Sequence, residues 1–504
     1  MSAQDLNRRA FLARSGAAAL MGMGAPWAMN LAGIAQAAQA QSSGNDGYKA
    51  LVCVFLQGGN DQANTVIPCD ATNFKLYQTL RDQLGAGFTQ AQLQDTLLTP
   101  DNSASLPSGL QLALAPAMKP LLNLFNTDKK LALLLNIGPL VQPIADAATF
   151  KRLLSSAQAA TTLPPKLFSH NDQQSVWQSY GAEGTTVGWG GLIGDNGLSG
   201  NGASPLTCVN LAGNVVYVAG KQAGQFMVNP YGPDALMATD VGNMFNSQEC
   251  VNAFISLTQT QDPSVHRVAK EHSNIMQRAV KYNTSLLKEL PLAPVPQIPV
   301  RFDPSGQLTS SAAAATPQLA GNVLAAQLNM AARMIAIHQQ LGIKRQVFFV
   351  SLGGFDLHDG LVTQHPRLLT KLANALAQFD ADLQTLGMRD QVTTFTASDF
   401  GRTISSNGDG SDHGWGSHHF VMGGAVQGGR IYGAWPDVTD FEKGQHNIGQ
   451  GRLLPTMAVD QLAAALAGWM GVSAADQLAL IAPHLGAFDA SVLSGLLKTS
   501  ATTA

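Results

Sequence analysis

Residues 346–399 read QVFFVSLGGFDLHDGLVTQHPRLLTKLANALAQFDADLQTLGMRDQVTTFTASD, and they predict a strand, a helix and a second strand in close succession. The first strand covers 346–352 and stops at Gly353 and Gly354. The helix covers 366–386, and the second strand covers 391–397, just ahead of Asp399. Upstream, Leu319, Val323, Ala326, Leu328, Ala331 and Ile335 recur at helical spacing over 317–341, and Gly342 closes that helix. Helix, strand, helix, strand with short turns implies parallel strands joined by right-handed crossovers, an α/β protein.

Further out, residues 48–57 (YKALVCVFLQ) form a continuous apolar run that suits a strand buried on both faces. Residues 129–137 (KKLALLLNI) predict another central strand, and 459–470 a closing helix. The stretch 200–315 carries one helical pattern, 264–290, and a proline-rich exit over 291–304. It reads as an insertion or cap. The chain has 504 residues, 45% hydrophobic and 12% charged, enough apolar material for a large core and too little charge for a disordered chain. A formal net charge of -3 provides no basic surface for nucleic acid.

The first forty residues read as an export signal of the twin-arginine kind. Arg8, Arg9, Ala10, Phe11 and Leu12 precede a mildly apolar stretch over 16–37, and Ala38-Gln39-Ala40 supplies a cleavage site. The apolar stretch contains glycines and a proline and is too weak for a stable membrane anchor. Cleavage after Ala40 removes three arginines and one aspartate, which leaves the mature chain, 41–504, at a net charge of -5. The expected destination is periplasmic or extracellular, with the twin-arginine translocase as the partner in export. Disulfides are permitted there, and Cys208 with Cys250 is the favoured pair, whereas Cys53 belongs to a core strand.

Chemistry concentrates after the strand ends. Five of the eleven histidines (His358, His365, His413, His418, His419) lie between 358 and 419, together with Asp356, Asp399 and Asp412. Asp356 and His358 are two apart just past a strand, so an extended chain projects both to one side. Asp399 ends the next strand, and Asp61 would end a third, although Asn60 or Asp61 equally suits an Asx turn. Asp412, His413, His418 and His419 lie in a loop whose glycines let adjacent side chains converge. Such carboxylates and imidazoles suit one or two divalent ions of zinc, manganese or magnesium. His365, before Pro366, reads as a surface or helix-start residue. Arg402 either clamps an anionic group or pairs with a carboxylate. In 168–177 (FSHNDQQSVW), the hydroxyls and His170 can face a substrate while Ser169 or Asn171 caps a helix.

The segments GGNDQANTVIP, FSHNDQQSVW, VSLGGFDLHDG, SDFGRT, DHGWGSHHFVMGGAVQGGRIYG and GRLLPTMAVDQLAAALAGWMGV together resemble an exported bacterial family called domain of unknown function 1501, over about residues 48–475. That family in turn resembles a branch of the alkaline phosphatase superfamily, with its phosphatases, sulfatases and two-metal sites on a three-layer α/β/α sheet. The resemblance implies a metal-binding Asp61, a metal-binding pair in Asp356 and His358, and Asp399 at the place where the superfamily writes Ser-Asp-His-Gly. Here Phe400 takes the place of that histidine, so His413, His418 or His419 would have to replace it. Thr65, Ser169 and Ser175 are candidate nucleophiles, Thr65 being favoured for its closeness to Asp61. The Cys-x-Pro-x-Arg motif of formylglycine sulfatases is absent, as are a Gly-x-Ser-x-Gly elbow and a phosphate-binding loop.

Two functions follow as expectations. One is a metal-dependent hydrolase of a small-molecule or polymer phosphate or sulfate ester, with Thr65, Ser169 and Arg402 in catalysis and Asp61, Asp356, His358, Asp399, Asp412, His413 and His418 on metal. The alternative is a non-catalytic envelope protein that binds a protein partner or a surface polymer on the same scaffold, a reading that Phe400 favours.

Overall fold

In strand β1 (Lys49–Leu56) alternate residues enter two different apolar layers. Ala50, Val52, Val54 and Leu56 face one, and Leu51, Cys53 and Phe55 face the other. That two-sided burial belongs to the interior of a parallel sheet. Truncating Phe55, which is 1% exposed, to alanine would cost roughly 3–5 kcal/mol and open the layer. The computed structural model describes residues 47–498 except 82–84, 86, 214, 233–240, 243, 259–265, 296–318, 320 and 439–443. The expected signal and most of the proline-rich exit lie outside the described residues.

The further strands are β2 (Val66–Pro68), β3 (Leu112–Leu114), β4 (Leu131–Gly138), β5 (Cys208–Asn210), β6 (Phe226–Met227), β7 (Arg345–Leu352), β8 (Val392–Ser398), β9 (Ser417–Met422), β10 (Arg430–Tyr432) and β11 (Met457–Ala458). Among the described residues the main sheet runs β10-β4-β9-β8-β1-β7-β5-β6, with β11 also on β4, while β2 and β3 form a small antiparallel pair. Only β9 runs antiparallel in the main sheet, against both β4 and β8. Helices Val323–Ala336 and Leu361–Thr385 cover one face; Trp189–Gly197 and Val459–Met470 cover the other. The protein is therefore an α/β/α sandwich on a mostly parallel sheet.

Several boundaries differ from the expectations. The helix predicted at 366–386 begins five residues earlier, at Leu361. Asp409 explains this: its carboxylate accepts from Gly360 N (2.9 Å) and its carbonyl from Leu361 N (3.2 Å), so two open donors of the first turn are met. His365 is consequently buried at 2% exposure and is not a surface residue. The stretch read as an insertion from 200 onward supplies β5 and β6, so up to Met227 it belongs to the sheet rather than to a cap. The expected Cys208–Cys250 disulfide is absent, and all four cysteines are free. Cys208 is a strand residue whose sulfur packs so close to Gly194 that a Cβ there would stand 2.2 Å from it.

Candidate metal centre

The strand register puts three loops side by side. Leu56 lies opposite Leu352 of β7 and Ser398 of β8, so the chain leaves all three strands at one level, where open parallel sheets place their ligand sites. The first and second loops touch at Gly58 (φ +112), where an added Cβ would stand 2.3 Å from Asp356 N. Glycine alone fits both that conformation and that approach. The third loop doubles back on itself: Gly401 N donates to Trp415 O (3.0 Å), Thr403 N to Asp412 O (2.9 Å) and Gly414 N to Gly401 O (2.7 Å). This short ladder carries His413 back over the strand ends. A fourth element arrives from elsewhere, because His170 opens the helix His170–Ser179.

Four donor atoms meet there. His413 Nε2 lies 2.9 Å from His170 Nε2 and 2.9 Å from His358 Nε2. Asp356 Oδ1 is 3.3 Å from His170 Nε2, 3.1 Å from His358 Nε2 and 3.5 Å from His413 Nε2. Tetrahedral coordination at about 2.0–2.1 Å sets donors about 3.3–3.4 Å apart, close to these spacings. The side chains of Asp356 and His358 are 44% and 41% exposed, so the centre opens to solvent on their side. On the inner side the Phe400 ring lies 4.8 Å from both the His170 and the His413 rings.

The far side of each imidazole is pinned. His170 Nδ1 meets Asp399 Oδ2 at 2.7 Å, His413 Nδ1 meets Phe168 O at 2.7 Å, and His358 Nδ1 stands 3.3 Å from Asp412 Oδ1. Asp399 and the Phe168 carbonyl accept, so the Nδ1 atoms of His170 and His413 donate and their Nε2 atoms face inward, while His358 Nδ1 faces Asp412 without a hydrogen bond. The inward lone pairs of His170 and His413 and the Asp356 carboxylate oxygen repel at these separations unless a positive charge lies among them. The Asp399 hydrogen bond raises the His170 pKa against burial, which lowers it, and burial lowers that of His413. At Asp356 burial pushes the pKa upward, but the Arg402 hydrogen bond and nearby cationic groups outweigh it and hold the carboxyl below its ordinary value. A proton shared from His170, or a metal ion, supplies the missing positive charge. The His170, Asp356 and His413 cluster, with His358 beside it, can hold such an ion.

The other expected site residues are not brought into this shell. Asp399 and Asp412 stand one layer out and orient His170 and His358; fully buried Asp399 also accepts from Gln174 Nε2 (2.9 Å) and Gly58 N (3.2 Å), and its Oδ1 has no partner. Asp61 faces Arg81 in a buried two-pronged ion pair, Nη1 to Oδ2 at 2.9 Å and Nη2 to Oδ1 at 2.5 Å. Thr65 is fully buried and donates to Asp61 O (2.7 Å), so its hydroxyl cannot attack a substrate. Ser169 donates to Asp172 Oδ2 (2.8 Å), and Ser175 to Ala182 O (3.0 Å). Arg402 is 0% exposed and spent on Asp356 Oδ1 (2.7 Å), Gly58 O (3.2 Å), Ser411 Oγ (3.3 Å) and Ser411 O. It pairs and does not clamp a ligand.

His418 and His419 belong to β9, where neighbours point to opposite faces. His418 Nδ1 accepts from Asn136 N (3.0 Å), and His419 Nδ1 lies 3.1 Å from Thr396 Oγ1. Burial depresses their pKa values to about 4 and about 3. His170 is the member of this cluster that sequence reasoning did not place on metal. Its one signal was the polar run SHNDQQ at a helix start, and pairing it with Asp399 requires the tertiary fold.

The fold and the site together define an α/β protein with a histidine-rich cluster that could hold a cation at the carboxyl ends of its central strands. The chain belongs to the family described as Protein of unknown function (DUF1501), whose model matches residues 48–450. No curated protein matches the sequence. Among solved structures, the chain is similar to the PsFucS1 sulfatase from Pseudoalteromonas sp., with 10% identity, 87% of this chain and 75% of that one covered, and a TM-score of 0.30. It is also similar to Ps i-CgsB (8%, 78% and 70%, TM-score 0.29) and to the lipoteichoic acid synthase LtaP from Listeria monocytogenes (9%, 84% and 80%, TM-score 0.28). Similarity this low leaves function to be read from the chain's own residues. Among the described residues no helix is long and apolar enough to cross a membrane.

Proposed function

We propose that the chain is an exported metal-dependent hydrolase of a phosphate or sulfate ester, delivered to the periplasm through the twin-arginine translocase. The observation that carries this reading is the inward convergence of three imidazole Nε2 atoms on Asp356 Oδ1, with the Nδ1 atoms of His170 and His413 held by acceptors and that of His358 facing Asp412. Three imidazoles and one carboxylate favour zinc over magnesium. A bound divalent ion would supply Lewis acidity for an ester oxygen and for water.

The chain's own residues do the remaining work. Arg402 fixes Asp356, Asp399 and Gln174 brace the His170 side, and Phe400 keeps the inner side dry. With Thr65 sealed in the interior, water is the attacking group. The cation for the ester's negative oxygens is Arg452, not Arg402. Arg452 Nε donates to His413 O (2.7 Å) and its guanidinium lies over the Phe168 ring at 5.3 Å, while its two terminal nitrogens keep their donors for a ligand.

The test is elemental mass spectrometry on mature protein purified without chelators, followed by a screen of phosphate and sulfate esters. About one zinc per chain, lost in His170→Ala and Asp356→Ala together with hydrolysis, is the expected result. Protein that binds no divalent metal and cleaves no ester would sink the hydrolase reading in favour of an envelope binding protein.

A further inference from the structure

Beside the metal centre an open cleft of about 490 Å³ runs along the helix His170–Ser179. We propose that it holds the uncharged, polyhydroxylated part of a substrate, a saccharide or a polyol. The proposal rests on the hydrolase reading for the claim that the bound molecule is a substrate; the binding chemistry stands on the cleft alone.

Among the described residues its lining contains no lysine, arginine, histidine or aspartate, and a single acid, Glu183. Amides and hydroxyls dominate instead. Asn171, Gln174 and Gln178 recur at i, i+3 and i+7, one face of the helix, and span about 10 Å along its axis. That row is longer than one sugar ring. An anionic ligand would meet no opposite charge along it, and an apolar ligand would strand the amides without partners.

The amides are also oriented by chemistry. Gln174 Nε2 donates to the Asp399 carboxylate (2.9 Å), so its Oε1 is left as an acceptor. Gln178 Oε1 accepts from Tyr217 N (3.0 Å), so its Nε2 is left as a donor. One helical turn therefore presents a fixed acceptor followed by a fixed donor, and neither can flip without losing its anchor. Neighbouring hydroxyls of a sugar need that alternation, since each both donates and accepts. Gln174 connects the two sites, because the same side chain that faces the cleft braces the carboxylate behind His170.

Saturation-transfer NMR on the mature full chain tests this with maltohexaose, mannohexaose, laminarihexaose and sulfated maltohexaose. Gln178→Glu keeps the acceptor for Tyr217 N and removes the donor, and Asn171→Asp removes an amide donor at an exposed position. At least one neutral hexaose should bind, roughly tenfold more weakly in Gln178→Glu or Asn171→Asp, and unchanged in Asp356→Ala. Binding of none of the neutral sugars, binding of the sulfated one alone, or equal binding by both cleft variants would overturn the proposal. Neutral-sugar binding in a protein that holds no metal and cleaves no ester would keep the cleft and refute the hydrolase reading alone.

Discussion

His413 and His418 stand five residues apart in one glycine-rich segment and end in opposite environments. His413 sits on a loop that folds back by pairing 401–403 with 412–415, and its Nε2 joins two other imidazoles. His418 sits inside β9, with its Nδ1 given to Asn136 N. The residue type is the same; what separates them is whether the backbone's hydrogen bonds are spent on a loop above the sheet or on the sheet itself. A histidine in a central strand must lose its charge to stay there, whereas one above the strand ends can share a cation.

The sharpest way to break that contrast is Asp356→Ala. It removes the only carboxylate, among the described residues, within reach of all three Nε2 atoms, and metal content should fall from about one per chain to near zero with the thermal transition still cooperative. Next in size is Asp61→Ala, which leaves Arg81 charged in the interior. Chemical denaturation should show a loss of about 3–5 kcal/mol, while metal content in the folded protein stays at its original value. The same loss of metal in both variants would erase the distinction between centre and interior.

A pH titration addresses the strand side. Burial holds His365, His418 and His419 at about 4, 4 and 3, below the ordinary imidazole value near 6.5. The unfolded chain takes up these protons first, so their contribution to stability is complete above about pH 6.5 and is lost as the pH falls toward the folded values. Denaturation midpoints at pH 7 and pH 5 should differ by about 2 kcal/mol for each such histidine, and His419→Phe should reduce that dependence. A flat profile would mean that these rings are not held neutral. The smallest effect expected is that of Asp412→Asn, which weakens the brace on His358. Metal affinity measured against a competing chelator should drop about tenfold, with stability unchanged.

The strands were legible because their information is local. YKALVCVFLQ and QVFFVSL are apolar on both faces, and β1 and β7 fall within a residue or two of the positions that those runs imply. Asp356 and His358 were legible for the same reason, being two apart past a strand end. His170 was not, since it reaches Asp399 across 229 positions. Asp61 misled because a carboxylate after a strand looks the same in sequence whether it meets a metal or Arg81, and Arg81 lies on a separate helix, Ala71–Arg81. The adjacent pair His418 and His419 misled because glycines on either side suggest a loop, yet SHHFVM is itself a strand.

The central position of β1 also sets a timetable for synthesis. Its two neighbours, β7 and β8, begin at Arg345 and Val392, so the earliest described strand waits until more than two thirds of the protein has been translated before either edge is covered. Pairings this distant in sequence are slow to form, and an exposed YKALVCVFLQ invites aggregation meanwhile. A nascent chain of this kind gains from a holding chaperone until β7 and β8 have emerged.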